Sequence, residues 1–228
     1  MIHTISTLVF DVNETLLDLD VLVPFFSRVF GRKEAMREWF AQQVLYSQSL
    51  SLSHCYIPFS DLAIGTLCML SEIHGVSLSE EDKEELRVSM RHLPAHPEVS
   101  AALARLQNAG FRLATLTNSP PNPEHNSLES AGLSLYFEQM LSVHAWRQFK
   151  PAPETYRGVA ERMQIEPEQM CMVAAHTWDT LGAQALGCAG ALVTRGKNAP
   201  LRVPGVPLPD IVVQDFSELA DAVIRLWR

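Results

Sequence analysis

The sequence predicts an α/β fold, a doubly wound, Rossmann-like parallel sheet with a helical cap inserted after its first strand. Three observations carry this. Short apolar runs end at polar or charged residues, as strands buried on both faces do. In the second half these runs alternate with helical patterns, which requires crossover helices on both sheet faces. From about Leu19 to His92 the pattern is helical throughout, with no convincing strand. The expected division is an α/β core of residues 1–18 and 93–228, and a cap of residues 19–92.

The elements follow in order. Leu8-Val9-Phe10 reads as a buried strand with Asp11 at its end. Val21 to Phe30, Lys33 to Ser47, Phe59 to His74 and Ser79 to Arg91 read as the cap helices; Ser79-Glu80-Glu81-Asp82 places acids at a positive helix end. Val99, Leu103 and Leu106 share one face of a helix over Pro97 to Ala109, stopped by Gly110. Phe111 to Leu116 is a strand ending in Thr117-Asn118-Ser119, and a helical stretch near Ser127 to Ala131 leads to a strand over Gln139 to Val143. Pro153 opens the next helix. Met170 to Ala174 is a strand followed by His176, Asp179 and a helix to Leu186. Gly190 to Thr194 and Ile211 to Val213 are the last strands, and Ser217 is expected to cap the final helix.

Composition narrows the function classes. The 228 residues suffice for a large core, and 47% hydrophobic with 19% charged residues is ordinary for a globular protein. A net charge of −8 disfavours nucleic acid and anionic membranes as partners. No apolar run approaches a membrane span, and the opening lacks the basic flank and cleavage site of a secretory signal. Cys55, Cys68, Cys171 and Cys188 form no Cys-x-x-Cys pair, so free thiols and a cytoplasmic location are expected.

Four polar points fall at the carboxyl ends of successive strands: Asp11, Thr117-Asn118, Lys150 and the loop His176 to Asp179. An open parallel sheet gathers such residues at one edge. Each has a bland alternative, since Asp179 can cap a helix and Lys150-Pro151 can be an exposed loop. Together they describe a nucleophilic carboxylate, a hydroxyl–amide pair, a cation and a second acid.

In that order the residues resemble the haloacid dehalogenase superfamily over essentially the whole chain, and within it the type II (S)-2-haloacid dehalogenases. Phe10-Asp11-Val12-Asn13-Glu14-Thr15-Leu16 is similar to the first motif, and Leu116-Thr117-Asn118 to the second, which usually has Ser at the place of Thr117. Phe149-Lys150-Pro151-Ala152-Pro153-Glu154-Thr155-Tyr156 matches a Lys-Pro-x-Pro-x-x-Tyr segment, and Ala174-Ala175-His176-Thr177-Trp178-Asp179 a Ser-Ser-Asn-x-Trp-Asp loop. The resemblance implies a hydrolase that opens a carbon–halogen bond of a small 2-haloalkanoic acid through an ester on Asp11. Lys150, Asp179 and Thr15 join Asp11 as catalytic residues: Lys150 favours ionised Asp11, Asp179 orients Lys150 and the hydrolytic water, and Thr15 braces Asp11. Substrate contacts are expected from Thr117, Asn118, Tyr156, His176, Phe40, Trp39 and Asn13, with core packing an equal reading for Tyr156 and the cap aromatics. A small molecule is the expected partner, and a homodimer is compatible with the resemblance.

Departures from the pattern shape the chemistry. Most superfamily members are magnesium-dependent phosphatases with a general acid two residues after the nucleophile. Here that residue is Asn13, which exchanges no proton near neutrality. His176 stands where the last loop would carry an acid, so neither a metal nor another cofactor is expected. The dehalogenase pattern Trp-Arg in the cap reads Trp39-Phe40, which removes the cation expected at the halide. A phosphatase, a hydrolase of another small organic acid and a catalytically degenerate binding member stand as alternatives.

Overall fold

The computed structural model describes residues 5–121 and 126–228. Strand β1 (Thr7–Phe10) is followed by helices α1 (Val23–Phe30), α2 (Ala35–Leu52), α3 (Phe59–His74) and α4 (Glu80–Arg91). Then come α5 (Val99–Asn108), β2 (Arg112–Thr117), α6 (Ser127–Ser130), β3 (Gln139–Ser142), α7 (Pro153–Met163) and β4 (Met170–Ala174). The chain closes with α8 (Thr177–Ala185), β5 (Ala189–Val193), β6 (Ile211–Val213) and α9 (Phe216–Trp227). Among the described residues, no helix is long and apolar enough to cross a membrane.

The strands form one parallel sheet in the order β3-β2-β1-β4-β5-β6. Leu8 lies beside Leu113 of β2 and Cys171 of β4, and Phe10 beside Thr115 and Val173. The chain winds outward from β1 to β3, then returns to lay β4 on the other side of β1. The carboxyl end of β1 is therefore the topological switch point, where open α/β sheets present a crevice. Side chains alternate across the sheet. Leu8, Phe10, Cys171 and Val173 pack with residues of α5 and α9, while Val9, Met170, Met172 and Ala174 pack with α7 and α8. Each fully buried aliphatic or aromatic side chain contributes about 1.5–3 kcal/mol, which is why so short a central strand is held firmly.

The cap helices lie in sequence between β1 and α5, an α/β core with an inserted helical cap. Its entry and exit run side by side. Asp18 donates its backbone N–H to Pro94 O at 2.8 Å, and His96 N–H donates to Leu16 O at 3.0 Å. The helix α4 begins with a full capping box on Ser79 and Asp82. Helix α2 continues to Leu52, five residues beyond the expected Ser47, because no residue between them breaks it. The cap of α9 is Asp215, not Ser217: Asp215 is extended and its side chain accepts the Glu218 N–H at 2.9 Å, leaving Ser217 inside the helix.

Candidate active site

Asp11 follows β1 at the switch point, with its backbone N–H bonded to Val173 O at 3.0 Å. Its two oxygens are held differently. Oδ1 accepts from Lys150 Nζ at 2.8 Å, and Oδ2 from the Thr15 hydroxyl at 2.7 Å. Thr15 Oγ1 in turn accepts the Ala175 N–H at 2.8 Å, which fixes the hydroxyl proton toward Asp11. The ammonium of Lys150 is fully buried and donates to Asp11, to Asp179 Oδ2 at 2.6 Å and to Leu116 O at 3.0 Å. An ammonium has three N–H groups, so all are used. Burial alone would lower the Lys150 pKa, but the charges of Asp11 and Asp179 raise it above its ordinary value and keep the cation.

The support continues behind Lys150. Asp179 Oδ1 accepts from the Tyr156 hydroxyl at 2.7 Å, so both carboxylate oxygens are engaged. Burial and the neighbouring Asp179 charge push the Tyr156 phenol well above its usual range and hold it as a donor. Gly182 makes this possible, because a Cβ there would collide with Pro151 and come within 2.8 Å of the Tyr156 oxygen. Lys150 and Pro151 are joined by a cis peptide bond, and the Lys150 backbone N–H donates to Asn118 Oδ1 at 3.0 Å.

In front of Asp11 lies a cavity of about 20 Å³, lined by Asp11, Asn13, Thr117, Asn118 and His176 with Phe40, Val44, Phe59 and Trp178. It is about the size of one water. Asn13 and Phe59 also line a neighbouring cleft of about 290 Å³ between the cap helices and the loop after β2. The His176 ring packs against Phe40 and Trp178, with centroids 5.4 and 5.3 Å away. Its Nε2 lies 2.6 Å from Glu14 Oε2, and its Nδ1, buried and without a protein hydrogen-bond partner, lies 3.9 Å from Asp11 Oδ2. Glu14 is itself buried and ion-paired to Arg37 of α2. Burial alone would raise the Glu14 pKa, but His176 and Arg37 bring it below the usual range. Glu14 has φ 67°, a left-handed conformation costing a non-glycine residue roughly 1–3 kcal/mol, sustained by these contacts.

Asp11, Asn13, Thr117, Asn118, His176 and Phe40 thus share the cavity, whereas five other expected site residues, Lys150, Asp179, Thr15, Tyr156 and Trp39, do not line it. Trp39 is fully buried in the cap, donates Nε1–H to Ala63 O at 2.9 Å and packs on Phe26, so the expected substrate contact is corrected to cap core. Tyr156 sits behind Asp179 and does not line this cavity, which corrects its placement among substrate contacts. Asp179 orients Lys150, but with both oxygens occupied and no exposure it is not placed to hold a water. Thr15 is buried, and its hydroxyl links the Ala175 N–H to Asp11 Oδ2.

A magnesium ion does not fit this donor set. Mg²⁺ demands an oxygen-rich octahedron. Here Asp11 faces an ammonium and a hydroxyl, Asn13 donates to Ser119 Oγ at 3.3 Å, and Glu14 is committed to His176 and Arg37. The residues that the sequence did not single out are Glu14, Arg37, Gly182, Val44 and Phe59. Glu14 carried a signal, a charged side chain inside the tight turn after the strand; the others acquire their places only through tertiary packing.

Comparison with known proteins agrees with this architecture. The family model of haloacid dehalogenase-like hydrolases matches residues 5–187. (S)-2-haloacid dehalogenase 1 of Pseudomonas sp. (strain CBS-3) is 28% identical over 98% of this chain and 99% of its own. A phosphoglycolate phosphatase of Vibrio vulnificus (strain CMCP6) is 30% identical over 72% of this chain and 76% of its own. Among solved structures, the L-2-haloacid dehalogenase of Xanthobacter autotrophicus with chloropropionic acid covalently bound superposes with a TM-score of 0.84 at 26% identity, covering 97% of this chain and 98% of that one. The chain belongs to the haloacid dehalogenase-like hydrolases.

Proposed function

We propose that this member of the family hydrolyses the carbon–halogen bond of a small 2-haloalkanoic acid, with Asp11 as nucleophile. One observation carries the reading: Asp11 is the single carboxylate among the described residues lining the cavity. A phosphate ester releases an alcohol, whose departure calls for a second acid. A halide leaves as a stable anion and needs no proton. The residue two positions on, Asn13, lines the cavity as an amide and supplies none.

In this reading a carboxylate oxygen of Asp11 attacks the halogen-bearing carbon in line and expels the halide. The product is an alkyl ester on Asp11, and water then cleaves it at Cγ. Lys150 favours ionised Asp11 before attack and stabilises the oxyanion that forms during hydrolysis. The Thr117 hydroxyl and Asn118 amide are proposed to bind the substrate carboxylate. Residues 19–92 are proposed to act as the cap, with the larger cleft beside Asn13 and Phe59 as the approach to the site. Chloropropionic acid bound covalently to the Xanthobacter relative supports the ester route.

The test is halide release from chloro-, bromo- and fluorocarboxylates beside a panel of phosphate esters, with and without chelator. Halide release that survives chelation is expected. Phosphate release restored by Mg²⁺, with no halide, would replace this reading by the phosphatase one. The 30% identity to a phosphatase makes that panel necessary.

A further inference from the structure

We propose that His176 is the general base that activates the hydrolytic water, aimed by Glu14; this rests on the Asp11-ester reading above. The placement of the two ring nitrogens carries the argument. Nε2 lies 2.6 Å from a Glu14 carboxylate oxygen, so in the neutral ring it holds the proton and donates it there. The lone pair is then on Nδ1, which is buried, has no protein partner and lies 3.9 Å from Asp11 Oδ2 at the edge of a cavity that fits one water. A base oriented through its second nitrogen by a carboxylate is the general arrangement of nucleophile–base–orienter sites. The ring is held by Phe40 and Trp178, and Glu14 by Arg37, so the geometry is fixed before substrate arrives.

Two observations mark this as a built device. Glu14 occupies left-handed backbone, a conformation that favours glycine, yet a glutamate stands there with its carboxylate engaged on both sides. And Asp179, the other acid of the final loop, is fully buried with a donor on each oxygen and does not line the cavity. The charged or titratable groups around the ring are Asp11 and Glu14, with Arg37 beyond Glu14 and His96 bonded to the Glu14 carbonyl.

Water oxygen bonds to Cγ of the Asp11 ester while Nδ1 takes one of its protons. The tetrahedral intermediate collapses by breaking the bond between Cγ and the alkyl oxygen. That oxygen receives the proton back from Nδ1 and leaves as the 2-hydroxyacid. Asp11, now carrying the remaining hydroxyl as a carboxylic acid, releases its proton to solvent. Glu14 is a positioning residue and undergoes no bond change.

The experiment is rapid-quench kinetics with (S)-2-chloropropionate on the wild type, His176→Ala and Glu14→Gln, each first checked for a native circular dichroism spectrum. His176→Ala is expected to release about one equivalent of chloride per site and then slow by roughly a hundredfold or more. Peptide mass spectrometry should find the carboxyethyl ester on Asp11, and free imidazole should restore part of the steady-state rate. Glu14→Gln should keep the chloride burst, slow ester hydrolysis by about tenfold and displace its pH profile. Steady-state turnover of His176→Ala at the wild-type rate would overturn the proposal and leave the dehalogenase reading standing. So would loss of the chloride burst in that variant without any ester, since the ring would then serve halide departure. A wild type that yields neither chloride nor ester here, and no halide from bromo- and fluoroacids, would remove both readings.

Discussion

The two walls of the site are built in opposite ways. On the core wall each charge is matched by the chain itself: Lys150 has three acceptors, Asp179 two donors, and Asp11 a donor on each oxygen. On the cap wall stand Phe40, Val44 and Phe59, which can turn or be replaced without leaving a charge unpaired. The ion pair of Arg37 with Glu14 ties the cap to the core beside this apolar wall. The contrast teaches a division of labour. A buried polar network tolerates no missing member, so it fixes the chemistry. An apolar wall tolerates exchange of shape, so substrate preference can drift there while the reaction stays the same.

Substitutions can break or sharpen that contrast. The largest effect is expected from Asp11→Ala, which should abolish halide release. In the wild type, a single turnover in ¹⁸O water should place label on the Asp11 carboxylate; label found only in product would mean that water attacks the substrate directly. Lys150→Met should come next in severity. Removing the cation leaves Asp11 and Asp179 facing each other unneutralised, a loss of about 3–5 kcal/mol measurable by urea unfolding, along with nearly all activity. On the cap side, Trp39→Ala should cost a comparable 3–5 kcal/mol through its cavity, yet retain measurable chemistry, since Trp39 reaches no reacting group. Inactivation of that variant in its folded form would place the cap core inside the catalytic machinery.

Smaller effects test the seam between the walls. Glu14 has a pKa lowered from 4.5 in the native state. Its contribution to stability is therefore present above about pH 4.5 and is lost as pH falls through the lower native value. The difference in urea midpoint between wild type and Glu14→Gln should close over that window, and a gap unchanged down to pH 2 would deny the linkage. Phe40→Arg should raise turnover of 2-chloropropionate, because Phe40 lines the cavity and a cation there would meet charge that grows as the halide departs. Unchanged turnover in a stable variant would mean that halide binds elsewhere. Least of all in consequence, Cys55 is exposed and should alkylate readily, while burial keeps Cys171 protonated and lifts Cys188 to about 12, so both should resist until unfolding.

The core wall was legible in the sequence and the cap wall was not, for a physical reason. Asp11, Thr117, Asn118, Lys150 and Asp179 follow or end strands, and a parallel sheet carries strand ends to a common edge whatever the rest of the chain does. The cap helices obey no such rule. Their faces are chosen by packing between helices, so Trp39 and Phe40, neighbours in sequence, diverge into cap core and cavity wall. Tyr156 was ambiguous for a related cause, since α7 has apolar neighbours on both sides and only the approach of Gly182 shows what its hydroxyl meets. Glu14 hid inside a recognisable motif. Its role becomes visible only when His176, 162 residues away, is brought against it.

The central place of β1 also bears on how the protein is made. Leu8 must find Leu113 on one side and Cys171 on the other, so the first strand to leave the ribosome is among the last to be enclosed. At about 5–20 residues per second, synthesis of the stretch from β1 to β4 occupies roughly ten to thirty seconds. Until β2 emerges the apolar strand waits with both edges unpaired, and until β4 emerges one edge stays open, while the helices that follow it form on microsecond scales from local contacts. Slowing translation after β4 should leave the yield of native protein unchanged, whereas slowing it between β2 and β4 should prolong exposure of β1 and increase the demand for chaperones.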